Sequence, residues 1–440
     1  VRKYNNLLSA VIIIMLLLLG ACSGDGREPP DPNTSASIKV MYWDEESFYR
    51  KYGKWFNQKF PKVNIEVVSK PRIGSDLGTG DRKEQLNQLI QQERPDLLLL
   101  NLQEYEKLAA DGELYPLDVL IQQDEFDIEG MHATVLDALK ERGNGKLYGL
   151  ASAFYSSALF YNSDLFQAYG VEPPQNQMTW EQIMDLANRF PLSEDREERI
   201  YGFQLAEYNG ISQLILDWGK TENLKLSDED GKLIFDSERW KQVYVSVIDL
   251  LSTGRLYIPN PPNAGSLEEE ADLFASGRAA MRISGPSYIN RLETSKAPSH
   301  WKMVSVPVSS SNPTDSAYMS LADLFGIRAD SEHTSIAWEF IKFANSEEFA
   351  KAESFTMGDG LLTRTLFNAN TSNLELEPFY MLKPQANHLN LSNLPPSFYQ
   401  TFSGIIEART REVLANKLTV EEAIMTIQQQ GNDGVPGLPQ

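Results

Sequence analysis

The sequence predicts an α/β protein built as two units that meet near mid-chain, and three observations carry that prediction. Strand-like apolar runs alternate with helical patterns from Ile38 to Leu100, which implies a mostly parallel sheet with helices on both sides. The chain has 440 residues, more than one ordinary core organises. The stretch Gly145 to Phe166, GKLYGLASAFYSSALFYNSDLF, carries no charge between Lys146 and Asp164. Its small residues (Ala151, Ser152, Ala153, Ser156, Ser157, Ala158) suit strand backbone that passes close to other backbone. One α/β unit precedes it and another begins after it, so the polypeptide is expected to cross between lobes here.

The first residues stand apart from the fold. Arg2 and Lys3 precede the apolar run Ala10 to Leu19, which is shorter than the roughly 20 residues of a spanning helix and suits a signal-peptide core. Leu19-Gly20-Ala21-Cys22 follows and resembles a bacterial lipobox, with small residues before the cysteine whose thiol would carry diacylglycerol. Residues 1–21 are therefore expected to be a lipoprotein signal peptide, and residues 22–37, rich in Gly, Pro, Ser and charge, a flexible tether. This puts the protein, lipid-anchored, on the outer face of the bacterial cytoplasmic membrane. Cys22 is the one cysteine, which rules out an intrachain disulfide and a cysteine metal cage. The net charge of −21 argues against nucleic acid as a partner and suits a dispersed extracytoplasmic protein.

Along the chain, Ile38 to Tyr42 reads as a strand ending on Trp43, Asp44 and Glu45. Phe48, Tyr52, Trp55, Phe56 and Phe60 give a helix stopped by Pro61. Val63, Ile65 and Val67 alternate as a strand, Leu86, Leu89 and Ile90 mark a helix, and DLLLL (96–100) reads as a strand buried on both faces. Past the central stretch, Thr179 and Gln182 have capping-box spacing at the head of a helix. Tyr201 to Leu205 is a strand leading into Glu207-Tyr208-Asn209, and Ile211 to Trp218 a short helix. Trp240, Val243, Val247 and Leu251 give a longer helix closed by Gly254; a helix is expected around Glu268 to Ser276. Strands follow at Ala279 to Ser284, Met303 to Val308 and Leu324 to Arg328, then a helix carrying Trp338, Ile341 and Phe343.

Four passages together resemble the extracellular solute-binding lipoproteins of bacterial ATP-driven (ABC-type) importers, in particular the sugar-binding class. They are YGL…LFYNSDLFQAYGVEPPQNQMTWEQIMDLA, ADLFASGRAAMRISGPSYI, LFGIRADSEHTSIAWEFIKFANSEEFA, and FPKVNIEVVS with DLLLLNLQEYEKLAADGELYPLD. The chain departs from the family where paired glycines often precede the strand from Leu324; here the residues are Ser320-Leu321-Ala322-Asp323. The resemblance implies a periplasmic-binding-protein-like fold of two α/β lobes, with the ligand in a cleft that closes like a hinged trap. It places the N-terminal lobe at 38–150 plus 285–328 and the C-terminal lobe at 151–284 plus 329–440. Crossings are expected near Gly149 to Ser152, Ser284 to Ser287 and Ala329 to Asp330. It implies a monomer that captures a carbohydrate, an oligosaccharide or sugar derivative, and delivers it to a membrane permease, with no cofactor and no metal.

In sheets of this class ligands sit beyond the carboxyl ends of the strands. A sugar wants flat aromatic faces for its C–H surface and planar polar groups for its hydroxyls. The candidates are Trp43 and Trp218 as platforms, Asp44, Asn101, Asn209 and Asp323 as hydroxyl partners, and Tyr155, Tyr208 and Tyr288 beside them. Core packing is the competing account of each aromatic, and the stronger one for Tyr161 and Trp180; Arg364 reads equally as cleft-lining or surface. A peptide or polyamine ligand is the alternative, the polyamine favoured if Asp44, Glu45 and Asp323 lie together. Enzyme readings find little: no G-x-S-x-G, no H-E-x-x-H, and four histidines (His132, His300, His333, His388) without metal-ligand spacing. A carbohydrate-active enzyme working through paired carboxylates stays open at this level.

Overall fold

The computed structural model describes residues 35–70, 82–193, 195, 198–206, 210–228, 231–259, 272–294, 300–354, 360–368, 376–385 and 398–433. Thirteen strands are found among them, in chain order β1 Ala36–Tyr42, β2 Val63–Ser69, β3 Leu97–Leu100, β4 Gly149–Tyr155, β5 Ala158–Asn162, β6 Phe203–Gln204 and β7 Leu256–Tyr257. Then come β8 Met281–Ser284, β9 Trp301–Ser305, β10 Asp315–Ser316, β11 Ser320–Ile327, β12 Gly360–Leu362 and β13 Lys383–Pro384. The first sheet has the order β12-β4-β11-β3-β1-β2, the second β7-β6-β8-β5-β9, and β10 pairs with β13.

The protein is α/β and two-lobed, but its sheets are mixed rather than mostly parallel. β1 runs parallel to β2 and β3, while β11 inserts antiparallel between β3 and β4. In the second sheet β5 is antiparallel to both β8 and β9. A chain that crosses between lobes more than once must re-enter each sheet from the cleft side, and such returning strands run antiparallel.

The lobe boundaries differ from those expected. β9 pairs with β5 in the second sheet, so residues 285–328 do not belong wholly to the first lobe. The helix Thr334–Ala344 buries Phe340 and Ile341 in the first core. Among the described residues after Ala329, the last pair of helices, Phe398–Leu414 and Val420–Asp433, packs into the second core through Phe398, Phe402, Ile406, Ile424 and Ile427. Two crossings are described: Ser156-Ser157 between β4 and β5, and 306–319 between β9 and β11. Gly149 to Ser152 lies within β4 instead, paired to β11. Ser284 to Ser287 joins β8 to the helix Ser287–Thr294. Ala329 is tied to the first lobe, its amide donating to the Glu113 carbonyl.

Gly149, at the head of the central strand, owes its size to this packing. β4 is an inner strand, and a Cβ on Gly149 would come within 2.6 Å of the Phe325 carbonyl oxygen. The run LLLL of β3 is buried throughout, as a strand covered on both faces should be. The capping box of Thr179 and Gln182 forms, and Trp180 and Tyr161 are core residues.

The first helix differs from its prediction. It runs Glu45–Phe48 and Lys54–Lys59 with a π-turn, Tyr49–Gly53, between them. A π-turn adds one residue to the helical repeat and shifts everything after it. Phe48, Tyr52 and Phe56 stay buried, while Trp55 is rotated out and exposed. Around Glu268 to Ser276 the described part, from Asp272 on, is a turn rather than a helix.

Candidate functional site

The carboxyl ends of β1, β2, β3 and β4 and the start of β11 all reach one edge of the first sheet, the edge from which the chain crosses. The second sheet presents to the crossings the start of β5 and the ends of β6, β8 and β9. The two edges define a cleft spanned by Ser156-Ser157 and 306–319.

On the first wall, Trp43 is 37% exposed, with the Lys70 ammonium 5.4 Å from its ring centre. Lys70 directly follows β2; its backbone amide donates to the Tyr42 carbonyl, and its Nζ to the Leu99 carbonyl (2.9 Å) and Glu104 Oε2 (2.5 Å). Asn101 caps the helix Leu102–Ala110 in a full capping box with Glu104. Asp44 caps Glu45–Phe48, accepting from the amide and hydroxyl of Ser47. Tyr155, at the end of β4, is 53% exposed.

Asp323 lies just past the β3–β11 pairing with φ 52°, a left-handed conformation uncommon for a side-chain-bearing residue. The β11–β4 register runs unbroken past it, from Ala322 opposite Ala153 to Leu324 opposite Ala151. Its carboxylate meets Lys51, which the π-turn carries, at 2.6 Å; Glu353 stands 3.6 Å from the same ammonium. Burial pulls the Lys51 ammonium down, yet Asp323 and then Glu353 hold it above the ordinary lysine range. Asp44, Asp323 and Glu353 all act on the buried Tyr42 hydroxyl, which burial pushes far above the phenol range.

The second wall was missed in the sequence. The helix Ile211–Thr221 presents Gln213, Asp217 and Lys220 on one side. Gln213 Nε2 donates to Asp217 Oδ1 at 2.8 Å, and the Tyr399 hydroxyl donates to Gln213. Tyr318, from the crossing 306–319, hydrogen-bonds Asp217. Burial pushes the Asp217 carboxyl up to about 6, against the pull of Lys220 and the hydrogen bonds from Gln213 and Tyr318. Lys220 is lowered by the same burial, opposed by Asp217. The available signal was the i, i+4 polar pair Gln213 and Asp217 on an amphipathic helix.

Because Asp217 titrates near 3.8 when unfolded and about 6 when folded, the folded chain holds this proton more tightly. The group therefore favours folding below its folded titration range and costs stability as pH rises through it. Asp217→Asn is expected to flatten the fall in melting temperature between pH 4 and 7 relative to the parent; an unchanged slope would show that Asp217 titrates normally.

Two candidates are corrected. Trp218 is 2% exposed, stacked on Trp180 with ring centres 5.6 Å apart, so both faces belong to the core. Tyr288 is 4% exposed, its hydroxyl donating to Asp272 and its ring covered by the Arg282 guanidinium at 4.4 Å. Arg364 is a buried tether, bonded to the Asn345 carbonyl and to Asp127. Trp43, Asp44, Asn101, Tyr155 and Asp323 are brought to one edge. Tyr208, Asn209 and Cys22 lie outside the described residues.

A cleft between two mixed α/β lobes, walled by strand ends and spanned by crossing segments, is the architecture of a solute-binding protein. Residues 51–367 match the family described as bacterial extracellular solute-binding protein, and the chain belongs to it. It is 21% identical over 353 residues to the arabinooligosaccharide-binding protein of Bacillus subtilis, covering 79% of this chain and 77% of that one. The mannitol-binding protein of Pseudomonas aeruginosa is 26% identical over 248 residues, about half of each protein (53% and 51%). The fold is that of a sugar transporter from Rhizobium etli in an open conformation, TM-score 0.57 at 19% identity, with 90% of this chain and 98% of the other covered. It is likewise that of UspC from M. tuberculosis, TM-score 0.58 at 15% identity, covering 91% and 100%. The chain is a binding protein, not an enzyme.

Proposed function

We propose that this chain is the lipid-anchored capture component of an ATP-driven importer, taking a neutral carbohydrate into the cleft and delivering it to a membrane permease. The observation that carries the reading is the pairing of walls: an exposed tryptophan and tyrosine at the first edge, and a Gln213–Asp217–Tyr318–Tyr399 hydrogen-bonding cluster at the second. Aromatic faces take the C–H side of a sugar, and the amide, carboxyl and phenol groups take its hydroxyls. The names of the relatives, an arabinooligosaccharide-binding and a mannitol-binding protein, support a polyhydroxylated ligand. Closure follows from differential affinity: a ligand touching both walls binds the closed form better and shifts that population. Cys22 would hold the protein, a monomer, at the outer face of the membrane.

The polyamine reading loses its main support, because Asp323 is engaged by Lys51 and Asp44 by Ser47. The test is a thermal-shift and calorimetric screen of the chain from Ser23 onward, against neutral oligosaccharides, hexitols, short peptides and spermidine. A shift confined to the sugars and hexitols is expected. Binding confined to peptides or spermidine, or turnover of a glycan, would overturn the assignment.

A further inference from the structure

The Lys70 side chain is only 3% exposed, and its chief charge partner, Glu104, is 14% exposed. Burying an ammonium costs several kcal/mol before pairing, and an apolar residue of similar length commonly fills such a seat with equal or greater stability. The position of the cation is what distinguishes it. Lys70 directly follows β2, its own amide is bonded to the last residue of β1, and its Nζ grips the Leu99 carbonyl of β3. Through Glu104 Oε2, which also accepts the Asn101 amide at 2.8 Å, it reaches the capping box of the next helix. It also lies over the Trp43 ring. Three strand ends and two candidate ligand residues thus share one buried charge.

We propose that Lys70 is a positioning residue for ligand capture: it pre-sets the Trp43 ring and the Asn101 cap before a solute arrives. The proposal rests on reading Trp43 as a ligand platform. A tryptophan at a strand end has two free torsions, and fixing them only on binding would subtract from affinity. A cation under the ring attracts the face of the indole and selects one orientation, while the hydrogen bonds to Leu99 and Glu104 fix the cation itself.

The experiment uses the full-length chain in a zwitterionic, sugar-free detergent, with Lys70→Met, Lys70→Arg and Glu104→Gln, each also made with Trp43→Phe. The emission of Trp43, taken as the difference between each protein and its Trp43→Phe partner, is read without ligand for acrylamide quenching. Affinities are read by calorimetry with arabinotriose, maltotriose and D-mannitol. Lys70→Met is expected to make Trp43 more quenchable and to weaken the bound probe about 3- to 30-fold, with Lys70→Arg recovering part of both. An unchanged Trp43 difference signal in folded Lys70→Met overturns the proposal, as does lost stability with quenching and affinity intact. Should Lys70→Met fail to fold, Glu104→Gln decides by the same signal. If no probe binds the parent chain, the sugar reading fails while the quenching result still decides the role of Lys70.

Discussion

Replacing Trp218 by alanine is expected to cost about 3–5 kcal/mol of stability, with little change in ligand affinity for the molecules that remain folded. The indole is stacked on Trp180, whose own Nε1 donates to Thr221 at 3.3 Å, and the neighbouring Gly219 lies against Trp240. A Cβ on that glycine would come within 2.1 Å of the Trp240 ring, so no adjacent backbone can collapse easily into the space left behind. Loss of packing without relaxation is what places a truncation at the high end of its range. Denaturant unfolding followed by far-ultraviolet circular dichroism measures the loss. A fall in affinity with stability unchanged would return Trp218 to the ligand.

Trp43→Ala is expected to do the reverse. The residue is 37% exposed at a strand end and leaves no cavity in either core, so its truncation should cost less stability than that of Trp218. Affinity for a bound glycan should fall about tenfold or more, as for an aromatic anchor at the centre of an interface. Calorimetry with the best glycan of the screen, beside the melting temperature of the same sample, gives both numbers. Equal affinity in Trp43→Ala and the parent would remove the platform from the first wall. The two tryptophans were indistinguishable as letters. One ends a strand, and the other faces inward from a helix.

Much of the fold could be read directly from periodicity and caps. The buried run of β3, the capping box at Thr179, and the framework roles of Tyr161 and Trp180 depend on local pattern, and local pattern is what a sequence displays. The lobe boundaries could not, because pairing β9 with β5 is a choice between partners more than a hundred residues apart. The π-turn is a one-residue insertion with no marker in composition, and it decided both the exposure of Trp55 and the reach of Lys51. The first wall of the site was legible because strand ends follow from strand assignment. The second was not, since Asp217, Tyr318 and Tyr399 come together from three distant segments.

One short helix, Glu377–Tyr380, sets a condition on how the lobes can move. Phe379 meets Phe160 of the second sheet with ring centres 6.2 Å apart. The next residue, Tyr380, meets Phe154 of the first sheet at 5.7 Å and stacks on His132 at 5.1 Å. Two consecutive residues therefore grip opposite halves of the molecule, and the apolar core runs without interruption from one to the other. A rotation that pulled the halves apart here would open that core to water; one that rolls about this contact keeps it dry. In a closure of that kind the helix would serve as the fulcrum, and the travel of each cleft wall would scale with its distance from it.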